Sequence, residues 1–202
     1  MDARQAARTL EVIRTLMERT CRYQLLTARA GLAAGCLAGV GALLFILLDA
    51  ADPAQFAAVW GLVFVGAAAA TIVGTVARGR QSGEPVWSRP ARAVVLALAP
   101  SLAAAAVLTV FFFVHGWHLW LPGVWMLCYG QAALATSAYA PPVIRWLGAS
   151  FLVFGAMTLA LGPAAAVPMM GLAFGLGHVG LGVYLLILER RERRVRLHSD
   201  VA

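Results

Sequence analysis

Lysine is absent from this 202-residue chain, and all sixteen basic residues are Arg. Without a lysine there can be no Walker-type phosphate-binding loop. Charge of any kind is scarce. Asp, Glu, Lys and Arg together make up 12% of residues, against roughly 25% in a soluble domain. That is too little polar surface to face water. Cysteine is scarce too: Cys21, Cys36 and Cys128 are odd in number, form no CxxC pair, and predict neither a disulfide framework nor a structural zinc site. No HExxH motif, nucleophile elbow or paired intramembrane carboxylates occur, which weighs against an enzyme.

What the chain has instead is hydrophobic length: 61% of its residues are hydrophobic. A bilayer core of about 30 Å needs ~20 consecutive apolar residues per helix. The apolar runs predict six spans, over about 30–48, 54–77, 93–114, 119–140, 146–162 and 168–188. Asp52-Pro53 separates the first pair, and the polar stretch 78–92 separates the second from the third. His115-Gly116-Trp117-His118 breaks the third from the fourth, tandem Pro141-Pro142 stops the fourth, and Gly162-Pro163 with Pro168 divides the last long run. The expected fold is an all-α bundle of six transmembrane helices, 26–189. An amphipathic interfacial helix over 1–25 precedes it and a basic tail over 190–202 follows.

The arginines then orient the chain. Arg4 to Arg29, Arg78 to Arg92, Arg145, and Arg190 to Arg196 all fall on one side if there are six spans, and scatter if there are not. By the positive-inside rule both termini are expected in the cytoplasm. Arg89, Arg92, Arg145, Arg190, Arg191, Arg193 and Arg194 are the expected contacts for anionic lipid headgroups. Because they flank apolar spans, the net charge of +7 points to lipid and not to nucleic acid. Trp60, Trp117 and Trp120 suit an outer aromatic belt, Trp87 and Trp146 an inner one. In the arm, Ala6, Leu10, Ile13, Leu16, Met17 and Cys21 share one helical face and Arg4, Arg8, Glu11, Arg14, Glu18 and Arg22 the other. This pattern fits a helix lying in the membrane interface, with partner docking as the alternative.

No charged residue falls inside a predicted span, which lowers the expectation of ion-coupled transport. The candidate intramembrane polar cluster is His178 with Tyr129 and Gln131, all near mid-depth. It is expected either as an interhelical hydrogen bond or as a ligand site. A bis-histidine haem would need a second imidazole at that depth. His115 and His118 lie about 15 Å away by helix rise, so no cofactor is predicted and haem at His178 is a minor alternative. His115 and His118 at i,i+3 could share a face and hold a metal, but snorkelling interfacial imidazoles are the expectation. No metal site is predicted.

Gly175, Gly177 and Gly180 match GxGxxG letter for letter, yet no strand precedes them and the site lies inside a span. Small residues have a better use there. Gly31, Gly35 and Gly39 repeat GxxxG, and Gly171, Gly175 and Gly182 recur on one face around His178. Both patterns predict close helix packing, within the chain or with a second copy or another membrane subunit. The segments VWGLVFVGAAAAT and VWMLCYGQAALAT hint at a duplicated hairpin.

The stretches MERTCRYQLL, WSRPAR and LPGVWMLCYG resemble a family of uncharacterised bacterial six-helix inner-membrane proteins. The resemblance implies a multi-pass protein of the bacterial cytoplasmic membrane, and no activity or site residue comes with it. The expected function is helix association, as an accessory or sensory subunit. A small carrier or channel for an uncharged or lipidic solute, and a haem- or quinone-binding electron-transfer subunit, are the alternatives.

Overall fold

A computed structural model describes residue 5 and residues 27–49, 51–83 and 85–199, with side chains described as far as Arg191. The expected interfacial helix over 1–25 lies outside the described residues apart from Gln5. Among the described residues all regular structure is helical. The helices are α1 (Ala28–Leu47), α2 (Pro53–Ser82), α3 (Arg89–Val114), α4 (Leu121–Thr136), α5 (Val143–Leu161), α6 (Pro163–Met170) and α7 (Gly177–Ser199). A 3-10 turn (His118–Trp120) leads into α4, and a π-helical turn (Gly171–Leu176) joins α6 to α7 as one continuous rod. Five of these helical segments are long and apolar enough to cross a membrane, the continuous sixth rod Pro163–Arg191 among them. In hydrocarbon every backbone N–H and C=O must be satisfied within the segment, which helices achieve and open strands do not. The chain is a membrane protein by this measure.

Local chemistry sets the helix starts. Thr27 Oγ1 accepts from the Ala30 amide at 3.2 Å, and the Asp52 carboxylate accepts from Ala54 and Gln55 at 3.0 and 3.3 Å. Ser88 Oγ accepts from Ala91 at 3.3 Å. Each cap satisfies an amide that the first turn leaves free. Pro53 and Pro90 sit in the first turn of α2 and α3, where the missing N–H is not needed.

Several span limits differ from the sequence expectation for such reasons. With Ser88 as cap, α3 starts at Arg89, four residues early, and carries Arg89 and Arg92 as helical side chains. Helix α2 continues through Ser82. Helix α4 stops at Thr136, where the Ser137 and Tyr139 amides bond three residues back, to Leu134 and Thr136, and close the chain into turns ahead of Pro141. Pro168 does not divide the fifth and sixth spans. Gly162 alone makes that turn at φ +86, a backbone conformation that favours glycine, and α6 begins at the next residue. Pro168 lies inside α6, ahead of the π turn.

Two buried clusters divide the bundle. One runs from Ala28, Ala140, Ile144, Leu181 and Leu185 at one end to Met126, Phe151 and Ala173 in the middle; the other gathers Ala42, Phe56, Trp60, Leu121, Val167 and Met170. Residues from the start of α1 therefore meet late residues of α7 and the α4–α5 junction. Late residues of α1 meet early α2, early α4 and the start of the sixth rod. Helix α4 is the central, most enclosed element, packed between α3 and α5. Helices α2 and α3 are peripheral, and expose Leu62, Phe64, Ile72, Leu96 and Val107. Such side chains suit acyl chains as neighbours, since without water there is no hydrophobic penalty for leaving them outside.

Candidate functional site

The mid-depth site is built by α4, α5 and the sixth rod. His178 lies roughly midway between Pro163 and Arg191 and is buried. Its Nδ1 stands 3.0 Å from the Phe174 carbonyl oxygen and its Nε2 2.8 Å from the Tyr129 hydroxyl. A carbonyl can only accept, so Nδ1 carries the proton of the neutral ring. Nε2 then offers its lone pair, and the Tyr129 hydroxyl donates to it. Both ring nitrogens are engaged.

Aromatic rings close around the pair. Phe174 lies parallel to the imidazole at 5.9 Å, and Phe151, fully buried, presents an edge at 5.7 Å. Tyr129 packs on Phe151 at 4.8 Å and on Phe174 at 5.3 Å. His178 follows the π turn on regular α7, four residues before Gly182; its ring reaches Tyr129 and Phe151 on α4 and α5, while its carbonyl and Gly182 lie against Gly31 of α1.

Gln131 does not join the pair. Two residues from Tyr129 on a helix means about 200° around the axis, and Gln131 is exposed on the far side of α4. The expected three-residue cluster is thus a pair.

The glycine faces meet each other. A methyl placed on Gly31 would lie 3.1 Å from the Gly182 Cα, and one on Gly35 would lie 2.6 Å from the Val179 nitrogen and 2.7 Å from the Gly175 oxygen. A methyl on Gly171 would lie 3.2 Å from the Ala42 methyl. The partner number falls as the α1 number rises, so the two segments run antiparallel. Gly39 differs from its two predecessors. Its backbone is 3.5 Å from where a Gly175 methyl would sit, but its own outward side is open.

A second glycine seam was not singled out in the sequence. Gly130 and Gly148 would place methyls 2.9 Å from each other's carbonyl oxygens, and Gly123 and Gly155 repeat the contact seven residues along, against Leu159 and Leu127. The signal was present: Gly123/Gly130 and Gly148/Gly155 both have a spacing of seven, a longer repeat than GxxxG.

At the other end, Phe56 is fully buried under five rings: Phe45, Trp60, Phe113, His118 and Trp125. His118 does not snorkel as expected. Gly116, at φ +72, reverses the chain between the two histidines and turns His118 inward. There His118 stacks on Phe113 at 5.8 Å, and its Nε2–H donates to the Ala51 carbonyl at 2.8 Å. His115 stays exposed, with Nδ1 on the Phe111 carbonyl at 2.8 Å. The two imidazoles share no face on which to hold a metal. The Trp60 Nε1 and His118 Nδ1 atoms are buried without a partner among the described residues.

The candidate headgroup arginines Arg89, Arg92, Arg145, Arg190 and Arg191 are exposed, and Arg145 lies 5.7 Å from the ring of Trp146. Arg193 and Arg194 continue α7, and their side chains lie outside those described. Arg78 is taken up differently. From the last turns of α2 its guanidinium makes an ion pair with Glu189 on α7.

No protein-family model matches the chain, and no curated protein and no solved structure matches it significantly.

Proposed function

We propose that this chain is a six-span, non-enzymatic protein of a bacterial inner membrane that acts by helix association, as an accessory or sensory subunit of a membrane complex. The observation that carries this reading is the His178–Tyr129 pair. The polar groups expected to bind a solute or cofactor at mid-depth are spent on each other and sealed by Phe151 and Phe174. An interhelical hydrogen bond of this kind serves to join spans. A haem iron would need the Nε2 lone pair that the Tyr129 hydroxyl occupies, and a solute pocket between α4 and the sixth rod would lack Gln131.

Six crossings, with both termini in the cytoplasm, fit the same geometry. Helix α4 has sixteen residues, which at 1.5 Å rise give ~24 Å. The 3-10 turn before it adds about 6 Å at 2 Å per residue, close to a bilayer core. The Arg78–Glu189 ion pair joins the end of the second span to the end of the sixth, as an even number of intervening crossings requires. The arginines at that end face anionic headgroups.

The test is extraction of tagged full-length protein directly into native-lipid discs, followed by mass spectrometry of what travels with it. A stoichiometric membrane protein, or a second copy of this chain, is the expected companion. A lone monomer with a Soret band, or with a bound solute lost on His178→Ala, would replace this reading with the electron-transfer or carrier one.

A further inference from the structure

Gln131 holds the only exposed amide within α4, and it points away from the bundle. Among the described residues that amide has no hydrogen-bond partner. Its depth follows from its neighbour: Tyr129 is bonded to His178, midway along the sixth rod, and Gln131 is only about 3 Å further along the α4 axis. At that level the surroundings are acyl chains, which offer neither donor nor acceptor. An amide left bare there is costly, and it is relieved only by protein. The exposed faces of α2 and α3 differ in kind. Leu62, Phe64, Leu96 and Val107 are wholly apolar and content with lipid.

We propose that a second copy of this chain docks on this face of α4, with Gln131 paired to Gln131 of the partner subunit across a two-fold axis along the membrane normal. An amide donates through its NH2 and accepts through its oxygen, so two related by a two-fold axis satisfy each other reciprocally. Copies inserted with the same topology present this amide at the same depth, which an unrelated span would have to match by chance. Ala135, one turn on and the other exposed residue of α4, is small enough to let the partner approach. The inference rests on the membrane-association reading above and names the contact through which one association occurs.

The experiment uses full-length protein in native membranes, with Cys21, Cys36 and Cys128 replaced by Ala and a single cysteine introduced as Ala135→Cys. Mild oxidation with copper phenanthroline should give a disulfide-linked dimer of this chain. Leu96→Cys and Val107→Cys on the exposed face of α3 should give none. Adding Gln131→Leu should lower the Ala135→Cys dimer yield by about threefold or more, and Gln131→Asn should preserve much of it. Because Gln131 touches neither glycine seam nor the His178 pair, Gln131→Leu should fold, and an unchanged elution profile checks that it does. No dimer from Ala135→Cys, or equal yield with Gln131→Leu, overturns the proposal. Cross-linking to a different protein also overturns it, yet leaves the accessory-subunit reading standing. That reading fails separately, if native-lipid discs hold the chain with no protein companion at all.

Discussion

Gly35 on α1 and Val179 on α7 approach so closely that no side chain fits between their backbones; a methyl on Gly35 would lie 2.6 Å from the Val179 nitrogen. Neither that nitrogen nor the Gly175 oxygen beside it can step aside without parting the helices. Gly39, one turn on, is open on its outward side. Gly35→Ala should therefore destabilise the folded protein by about 1–3 kcal/mol, as overpacking does. Gly39→Ala should be neutral or slightly stabilising, by up to ~1 kcal/mol, because Ala is the better helix former. Unfolding of both variants in mixed detergent micelles, compared with the parent, measures the difference. Equal losses would mean that the seam does not distinguish the two positions.

The Tyr129 hydroxyl and His178 form a bond in which each side leaves the other bare when removed. Tyr129→Phe should cost about 0.5–1.7 kcal/mol, the range of interhelical hydrogen bonds in membranes. His178→Leu should cost more, since the Phe174 carbonyl also loses its donor. In a double-mutant cycle the pair should be coupled: Tyr129→Phe should add little once His178→Leu is present. Strict additivity would show that the 2.8 Å contact contributes nothing.

Much of this fold could be read from the chain because hydrocarbon leaves few choices. Apolar length and the Gly162-Pro163 break are local signals, and they match helices and a turn. What could not be read is what depends on rotation about a helix axis. Tyr129 and Gln131 lie within about 3 Å of each other in depth but in opposite directions, and only the packing of α4 decides which looks inward. GxxxG treats Gly31, Gly35 and Gly39 alike, whereas the partner helix passes over only the first two fully. Pro168 reads as a break, but a proline early in a helix followed by a π turn keeps the rod continuous. The inward turn of His118 depends on Gly116 and on a cavity built by Phe56 and Phe113, and its acceptor, the Ala51 carbonyl, is 67 residues away in sequence.

Phe56, like Phe151, has no exposed surface, and it is ringed by five aromatic neighbours on five different segments. In a bilayer its removal forfeits packing more than water exclusion. A cavity of ~100 Å³ at about 24 cal/mol per Å³ gives ~2–3 kcal/mol for Phe56→Ala. Phe56→Leu, which keeps most of the volume, should cost about half of that or less. The same micelle titration measures it. An effect under ~1 kcal/mol for Phe56→Ala would show that the aromatic cluster collapses freely around the gap.

The two nitrogens of His118 differ. Nε2–H donates to the Ala51 carbonyl, while Nδ1 is buried as an acceptor with no partner among the described residues. A buried acceptor without a donor costs about 1–3 kcal/mol. His118→Phe keeps the ring that stacks on Phe113 and meets Phe56, and it deletes the bare acceptor. It also releases the Ala51 carbonyl, but Ala51 is exposed, so that oxygen can turn to solvent. The expected result is unchanged stability or a gain of up to ~1 kcal/mol, against a loss of about 2 kcal/mol or more for His118→Ala, which leaves a hole among the rings. If His118→Phe instead proves costly, Nδ1 has a donor in the working protein. An ordered water or a bound hydroxyl compound beside Trp60, whose own buried N–H is unpartnered, would then be the first thing to look for in a density map of the variant and its parent.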